Sequence, residues 1–138
     1  MALSDIFDDL EPAERVSLLE QASEESFDDG ARILEEGQEN PSIFVIVDGE
    51  VAVRRQGQGG NGIEVARLGL GAIFGEMAFL TREPASADVV AVGPVKVLRL
   101  GHEHIQRMVR KAPDFAGRFY RSVAITLAER LRETSRKL

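Results

Sequence analysis

The sequence predicts a mainly β domain with flanking helices: an eight-stranded antiparallel jelly-roll barrel, an N-terminal helix, a short helix set within the barrel region and two C-terminal helices. Three observations predict it. Between Phe27 and Leu100, short apolar runs are broken by glycine-bearing turns at regular spacing, the pattern of antiparallel barrels and jelly rolls. Before and after that region the apolar residues recur at helical spacing. One glycine-led segment, residues 74–89, interrupts the strand pattern with a single helical turn.

With 138 residues the chain is long enough for one domain with a real core, read as a helical region (1–26), a barrel (27–100) and C-terminal helices (101–138). No apolar run approaches the roughly 18 residues that a membrane span needs, and no signal peptide precedes the first acidic residues. The chain has no cysteine, so disulfides, thiolate metal sites and iron–sulfur clusters are excluded; a cytoplasmic setting fits.

Net charge is −6 and unevenly spread. Residues 1–50 hold 15 acidic and 2 basic side chains, whereas residues 51–138 hold 8 and 15. The acidic front does not suit nucleic acid. The basic back half either attracts a phosphate or pairs with the front.

Leu3, Ile6, Phe7 and Leu10 lie on one side of a short amphipathic segment. Pro12, tolerated at a first helical position, opens a helix that ends near Ser23, with Val16, Leu18, Leu19 and Ala22 as its apolar face. Arg32–Glu35 reads as a short strand and Ile43–Val47 as a strongly apolar one. Asp48-Gly49 reads as a hairpin turn, because both residues accept positive φ, and Val51–Val53 leads out again. Gln56 to Gly62 is too glycine-rich to pack and reads as a mobile hairpin tip. Ile63–Leu68 alternates as a half-buried strand, and Val89–Leu100 reads as a last hairpin around Gly93-Pro94.

His102–Lys111 is a predicted helix with Ile105, Met108 and Val109 inward. Asp114 is placed as the cap of a final helix to about Arg136, whose stripe is Phe115, Phe119, Val123, Leu127 and Leu131, with Tyr120, Ala124 and Ala128 beside it. About 22 residues of helix span about 33 Å, more than a small barrel needs for cover. The distal apolar residues therefore call for another partner, the same helix of a second subunit. His102 and His104 do not share a helix face and have no third ligand, so no metal is assigned. No nucleophile stands beside a base, so an enzyme is not expected.

In the 74–89 stretch, Gly71 and Gly75 permit left-handed backbone, Glu76–Leu80 makes the turn of helix, Pro84 stops it and Ala87–Val92 is a strand. Unpaired N–H groups at such a helix start suit an anion. Glu76 either caps that helix or accepts a hydrogen bond from a ligand hydroxyl.

These residues resemble the phosphate-binding cassette of the cyclic-nucleotide-binding domain family, which includes bacterial cyclic-AMP receptor proteins and regulatory subunits of cyclic-AMP-dependent kinase. The family pattern is Phe-Gly-Glu-Leu-Ala-Leu-Leu, then Pro-Arg-Ser/Ala-Ala-Thr/Asp-Val. Phe74, Gly75, Glu76, Ala78, Leu80, Pro84, Ser86, Ala87 and Val89 fit it. Gly37, the Ile43–Gly49 strand and turn, Val51, Gly71 and the two terminal helices also fall where the family has them.

The resemblance implies a cyclic AMP or cyclic GMP site, with no cofactor. Gly75, Glu76, Met77 and Ala78 would supply the ribose and helix-start contacts, and Ser86 a hydroxyl and N–H to the phosphate. Thr134-Ser135 resembles the pair that reads the purine in the bacterial receptors; its other reading is a polar helix end. The family's phosphate-pairing arginine falls on Ala85, so weak or altered nucleotide binding is expected. Glu76, Glu83 and Asp88 add negative charge nearby, and Arg82 is the candidate substitute cation. The receptor proteins carry a helix-turn-helix after the long helix; the sequence stops at Leu138, so no DNA partner is expected. The implied function is a regulatory sensing module that relays ligand state through the last helix to an effector protein, as a homodimer through that helix. The alternative is a degenerate barrel that docks or dimerises without nucleotide.

Overall fold

Residues 42–46 are apolar or small at every position, and the strand they form is buried on both faces, as a continuous apolar run requires. Ile43 and Val45 pack towards the helices with Ile73, Leu100 and Phe119. Phe44 and Ile46 point the other way, into a second cluster with Val51, Phe74, Val89 and Val97. The computed structural model describes residues 7, 9–56 and 62–136, the side chain of Thr134 excepted. Leu3, Ile6 and residues 57–61 of the predicted hairpin tip lie outside the described residues, while Gln56 and Gly62 pair at the strand ends beside it.

The described elements run α1 (Pro12–Glu20), β1 (Ser23–Phe27), β2 (Arg32–Leu34), β3 (Ser42–Gln56), β4 (Gly62–Leu68), β5 (Ile73–Phe74), α2 (Glu76–Thr81), β6 (Asp88–Gly101), α3 (His102–Lys111) and α4 (Pro113–Arg136). All pairings are antiparallel. The sheet runs β1-β6-β3-β4, with β2 on β6 and β5 on β3. Among the described residues there are six strands in an open path, not the expected closed barrel of eight.

The difference lies in two places where a turn is predicted and the strand continues. Asp48-Gly49 is internal to the 15-residue β3, and Gly93-Pro94 is internal to the 14-residue β6. Asp48 pairs with Lys96 and Glu50 with Val92, so the two glycine sites meet as one bulge. Gly49 has φ 88°, and a Cβ there would collide with the Pro94 carbonyl oxygen. A bulge that brings backbone this close admits only glycine, and the same glycine resembles a turn in the sequence.

Three further expectations are corrected. Ser23–Phe27, read as the end of the helical region, is the edge strand β1. It is polar because it is exposed, and its Glu24 and Glu25 face Lys96 (3.3 Å) and Arg99 (4.0 Å) across the ladder. In β4 the inward face is Ala66 and Leu68, half-buried, while Ile63 and Val65 are exposed. Val16, placed on the apolar face of α1, is 54% exposed.

The helices cover one face of the sheet. Leu18 of α1, Ile105 of α3 and Phe115, Phe119 and Val123 of α4 are buried together, with Phe7 stacked on Phe119 at 5.8 Å. Glu14 of α1 accepts two hydrogen bonds from Arg118 of α4, at 2.9 Å and 2.6 Å. Pro113, not Asp114, opens α4. A proline at the first helical position needs no N–H, and Asp114 then sits in the first turn, where the helix dipole favours its charge. Leu127 is half-buried and Leu131 is 67% exposed, so α4 outruns the sheet as its length implies. No described helix is long and apolar enough to cross a membrane.

Candidate functional site

Gly75 is the hinge between β5 and α2. Its φ of 83° turns the chain sharply, and a Cβ there would lie 2.7 Å from the Ser42 carbonyl oxygen and 3.2 Å from the Phe44 ring. Only glycine lets β5 press on β3 and still start a helix at the next residue. The turn leaves Glu76 facing inward, with the residue 4% exposed. Glu76 does not cap α2: the cap is Gly75, without a side-chain hydrogen bond.

What holds the buried carboxylate is a residue that the sequence reading did not single out. Arg130 of α4 donates from Nη1 to Glu76 Oε1 (2.9 Å) and from Nη2 to the Ile73 carbonyl oxygen (2.6 Å). An ionised carboxylate taken from water needs such a charged partner. The signal was present in the pattern. Arg130 follows Val123 and Leu127 at helical spacing, so the inward stripe of α4 continues through a cation.

Below this pair is a cavity of about 230 Å³ between β4, the 85–87 segment and α2. Leu34, Val53, Ala66, Leu68, Phe74, Ala78, Ala87 and Val89 give it apolar walls, and Gly75, Glu76, Met77, Ala85, Ser86 and Arg130 complete the lining. Of the predicted site residues, Gly75, Glu76, Met77, Ala78, Ala85 and Ser86 are therefore brought together around one space. Ala78 is buried, Met77 is half-exposed and Ser86 is exposed.

Ala85 occupies the wall where the resemblance places an arginine. Its methyl group is buried and its backbone is committed. Its N–H donates to the Gln38 carbonyl, and its own carbonyl accepts from Gly37, both at 2.9 Å. The turn carrying Gly37 and Gln38 thus pins the 85–87 segment in place. Asp88 accepts from the Glu36 N–H (2.6 Å) and Gln56 Nε2 (3.3 Å), so its carboxylate is satisfied outside the cavity lining.

Arg82 ends α2 in the left-handed region at φ 64° and does not line the cavity. Its Nη1 lies 2.6 Å from His102 Nε2, at the start of α3. Burial, then the adjacent guanidinium, hold the His102 pKa below its ordinary value. The neutral ring accepts this hydrogen bond through Nε2. Ser135 is exposed on the last turn of α4 and does not line the cavity; Thr134 shares that turn, its side chain outside the described residues. A second, more open concavity of about 530 Å³ lies between residues 67–72 and the far half of α4, and shares Arg130. The site is assigned to the smaller one because Glu76 and Ser86 face it.

Comparison with known proteins gives the arrangement its family. At 30% identity the chain is similar to the catabolite activator protein of Thermus thermophilus, with a TM-score of 0.81 over 97% of this chain and 61% of that one. It therefore spans less than two thirds of that protein's length. It is 28% identical to the regulatory domain of Toxoplasma gondii PKA solved with cAMP, with a TM-score of 0.75 over 95% of this chain and 47% of that one. The regulatory subunit of a cAMP-independent protein kinase A from Trypanosoma brucei, in a mutant form bound to cAMP, is 28% identical, with a TM-score of 0.76 over 90% of this chain and 44% of that one. Residues 24–112 match the cyclic nucleotide-binding domain, and the chain belongs to that family.

Proposed function

We propose that this chain is a regulatory ligand-sensing module of the cyclic-nucleotide-binding type, a binding unit rather than an enzyme. Ligand in the Glu76 cavity is relayed to an effector protein through α4. The observation that carries this reading is the Arg130–Glu76 pair. It joins the cassette to the helix that leads away from it, so a ligand that engages the carboxylate changes how firmly α4 is held. A ligand shifts such an equilibrium only by its differential affinity for the two positions of the helix.

The Toxoplasma relative is solved with cAMP, which supports a nucleotide-type occupant. Ala85 supports weakened or altered nucleotide binding here, since a charged hydrogen bond contributes about 1.5–3 kcal/mol, or about ten- to a hundredfold in affinity. The trypanosomal relative is described as cAMP-independent, and the form bound to cAMP carries three substitutions, one of them to arginine. Tyr120, Ile125 and Leu131, at 38%, 39% and 67% exposure, support a homodimer through α4.

The test is thermal melting and hydrogen exchange with and without ligand. An occupant at about 100 times its dissociation constant raises stability by about 2.7 kcal/mol. Protection in residues 124–136 is expected to change with it. No melting shift with any nucleotide or nucleoside, and unchanged exchange in α4, would reject the sensing role in favour of a docking barrel.

A further inference from the structure

From the charges that face the cavity we infer that its ligand is uncharged: a hydroxyl-bearing molecule of ribonucleoside type, not a cyclic monophosphate. The inference rests on the sensing reading above and names the chemical class of the occupant.

Among the described residues, only two charged side chains line the cavity, Glu76 and Arg130, and they are paired with each other at 2.9 Å. The lining is therefore neutral overall. Arg130 also donates to the Ile73 carbonyl, so turning it onto a phosphate would strip a carboxylate that is 5% exposed of its partner. The other cations near the wall are directed elsewhere. Arg82 lies against His102 on α3, and Arg32 is between Glu35 and Asp88. Arg67 of β4 pairs with Glu64 and Glu50.

The backbone offers dipoles but no full charge in their place: the Ser86 N–H and hydroxyl remain as uncharged donors on the wall. At Ala85 both the N–H and the carbonyl are used by the 37–38 turn. The helix α2 has six residues, too short for its dipole to stand in for a full positive charge. A phosphate moved from water into this space gives up its hydration with no opposing charge, a cost that an uncharged ligand does not meet. The cavity, at about 230 Å³, is also below the roughly 300–1,000 Å³ usual for drug-sized ligands, which favours the smaller occupant.

The polar features that remain suit hydroxyl groups. Among the described residues the salt bridge to Arg130 engages Oε1 of Glu76, and Oε2 is the atom that accepts from a sugar hydroxyl. Apolar walls from Leu34, Val53, Leu68 and Val89 take a flat ring.

The experiment is calorimetric titration of the unmodified chain with adenosine, guanosine, 2′-deoxyadenosine, cyclic AMP and cyclic GMP. One nucleoside is expected to bind at least about tenfold more tightly than its own cyclic monophosphate, the lower end of a lost charged contact. The 2′-deoxy compound is expected to lose a similar factor. Glu76→Gln deletes the same acceptor from the protein side, and the deoxy ligand reads it without any risk to folding. A cyclic monophosphate that binds as tightly as the nucleoside, or more tightly, overturns the inference and leaves the sensing role standing. Binding by neither class overturns both.

Discussion

Arg130 on α4 and Glu76 on α2 are 54 residues apart in the sequence and share one ion pair of 2.9 Å. The two ends are unequal: the carboxylate side chain is 5% exposed and the guanidinium 31%. Removing the arginine therefore leaves a buried charge, whereas removing the carboxylate leaves a cation that can turn to water. Arg130→Ala is expected to cost about 1.5–3 kcal/mol, read as a fall in the denaturant midpoint at unchanged slope. Adding Glu76→Gln to that variant should recover part of the loss, because the orphaned charge is gone. A double variant no more stable than Arg130→Ala would show that the arginine acts mainly through the Ile73 carbonyl.

Gly75 offers a sharper test of the site's geometry. A methyl group there would meet the Ser42 carbonyl at 2.7 Å, and the residue is held at φ 83°. A left-handed alanine costs about 1–2 kcal/mol before any clash is counted. Gly75→Ala should cost more than that in equilibrium unfolding and should displace Glu76 from the cavity. A variant with wild-type stability would mean that β5 and α2 relax apart without penalty.

These two residues show which parts of the site could be read in the sequence. Gly75 and Glu76 are adjacent in one segment, and their spacing to Pro84 and Ser86 carries the pattern, so the cassette was legible. Arg130 was not, because its partner is fixed by how α4 crosses the sheet, and only Val123 and Leu127 before it hinted at the inward face. The same limit explains β3 and β6. Gly49 and Gly93 signal positive φ, but whether a glycine ends a strand or bulges it depends on the opposing strand. The polar strand β1 was invisible for a related reason: Glu24 and Glu25 gain their strand role from Lys96 and Arg99, which lie some 70 residues on.

His104 predicts a pH dependence. It is 8% exposed in α3, and among the described residues its Nε2 has no hydrogen-bond partner. Burial first, then the charge of Arg107, hold its pKa below the ordinary 6.5, with backbone hydrogen bonding at Ser17 and Leu18 acting in the opposite direction. The unfolded chain therefore takes up this proton more readily than the folded one. Stability from the neutral ring is complete above pH 6.5 and declines as pH falls below it towards the lowered folded value. His102, depressed in the same direction, adds to that slope. His104→Leu should flatten the stability profile below pH 6.5 relative to wild type. An unchanged slope would place the acid sensitivity elsewhere.

The solvent side of α4 predicts an oligomeric state. Tyr120 and Leu131, eleven residues apart and so on one side of this 24-residue helix, are large apolar side chains turned to solvent, and Ile125 is exposed on another flank. Phe115, Phe119 and Val123, by contrast, belong to the core, so shortening α4 would confuse folding with assembly. Leu131→Glu leaves that core untouched. It is expected to convert a sedimenting dimer to monomer with less than about 0.5 kcal/mol change in protomer stability, as for a surface substitution. A variant that still sediments as a dimer would place the interface on another face.

Ala85→Arg tests the charge argument from the opposite side. The side chain at 85 faces the same cavity as Glu76 and Ser86, so an arginine there brings a cation to the wall that now lacks one. Cyclic AMP or cyclic GMP binding is expected to strengthen at least about tenfold, as one charged hydrogen bond implies. Nucleoside affinity should not rise, because the new charge has nothing to pair with on that ligand. Without ligand the guanidinium competes with Arg130 for Glu76, so α4 should exchange faster than in the wild type. The ratio of the two affinities would then shift towards the cyclic monophosphate by at least about tenfold between wild type and variant, a result that cannot come from a general gain or loss of stability. Unchanged cyclic-nucleotide affinity would mean that cavity shape, not missing charge, sets what this domain accepts.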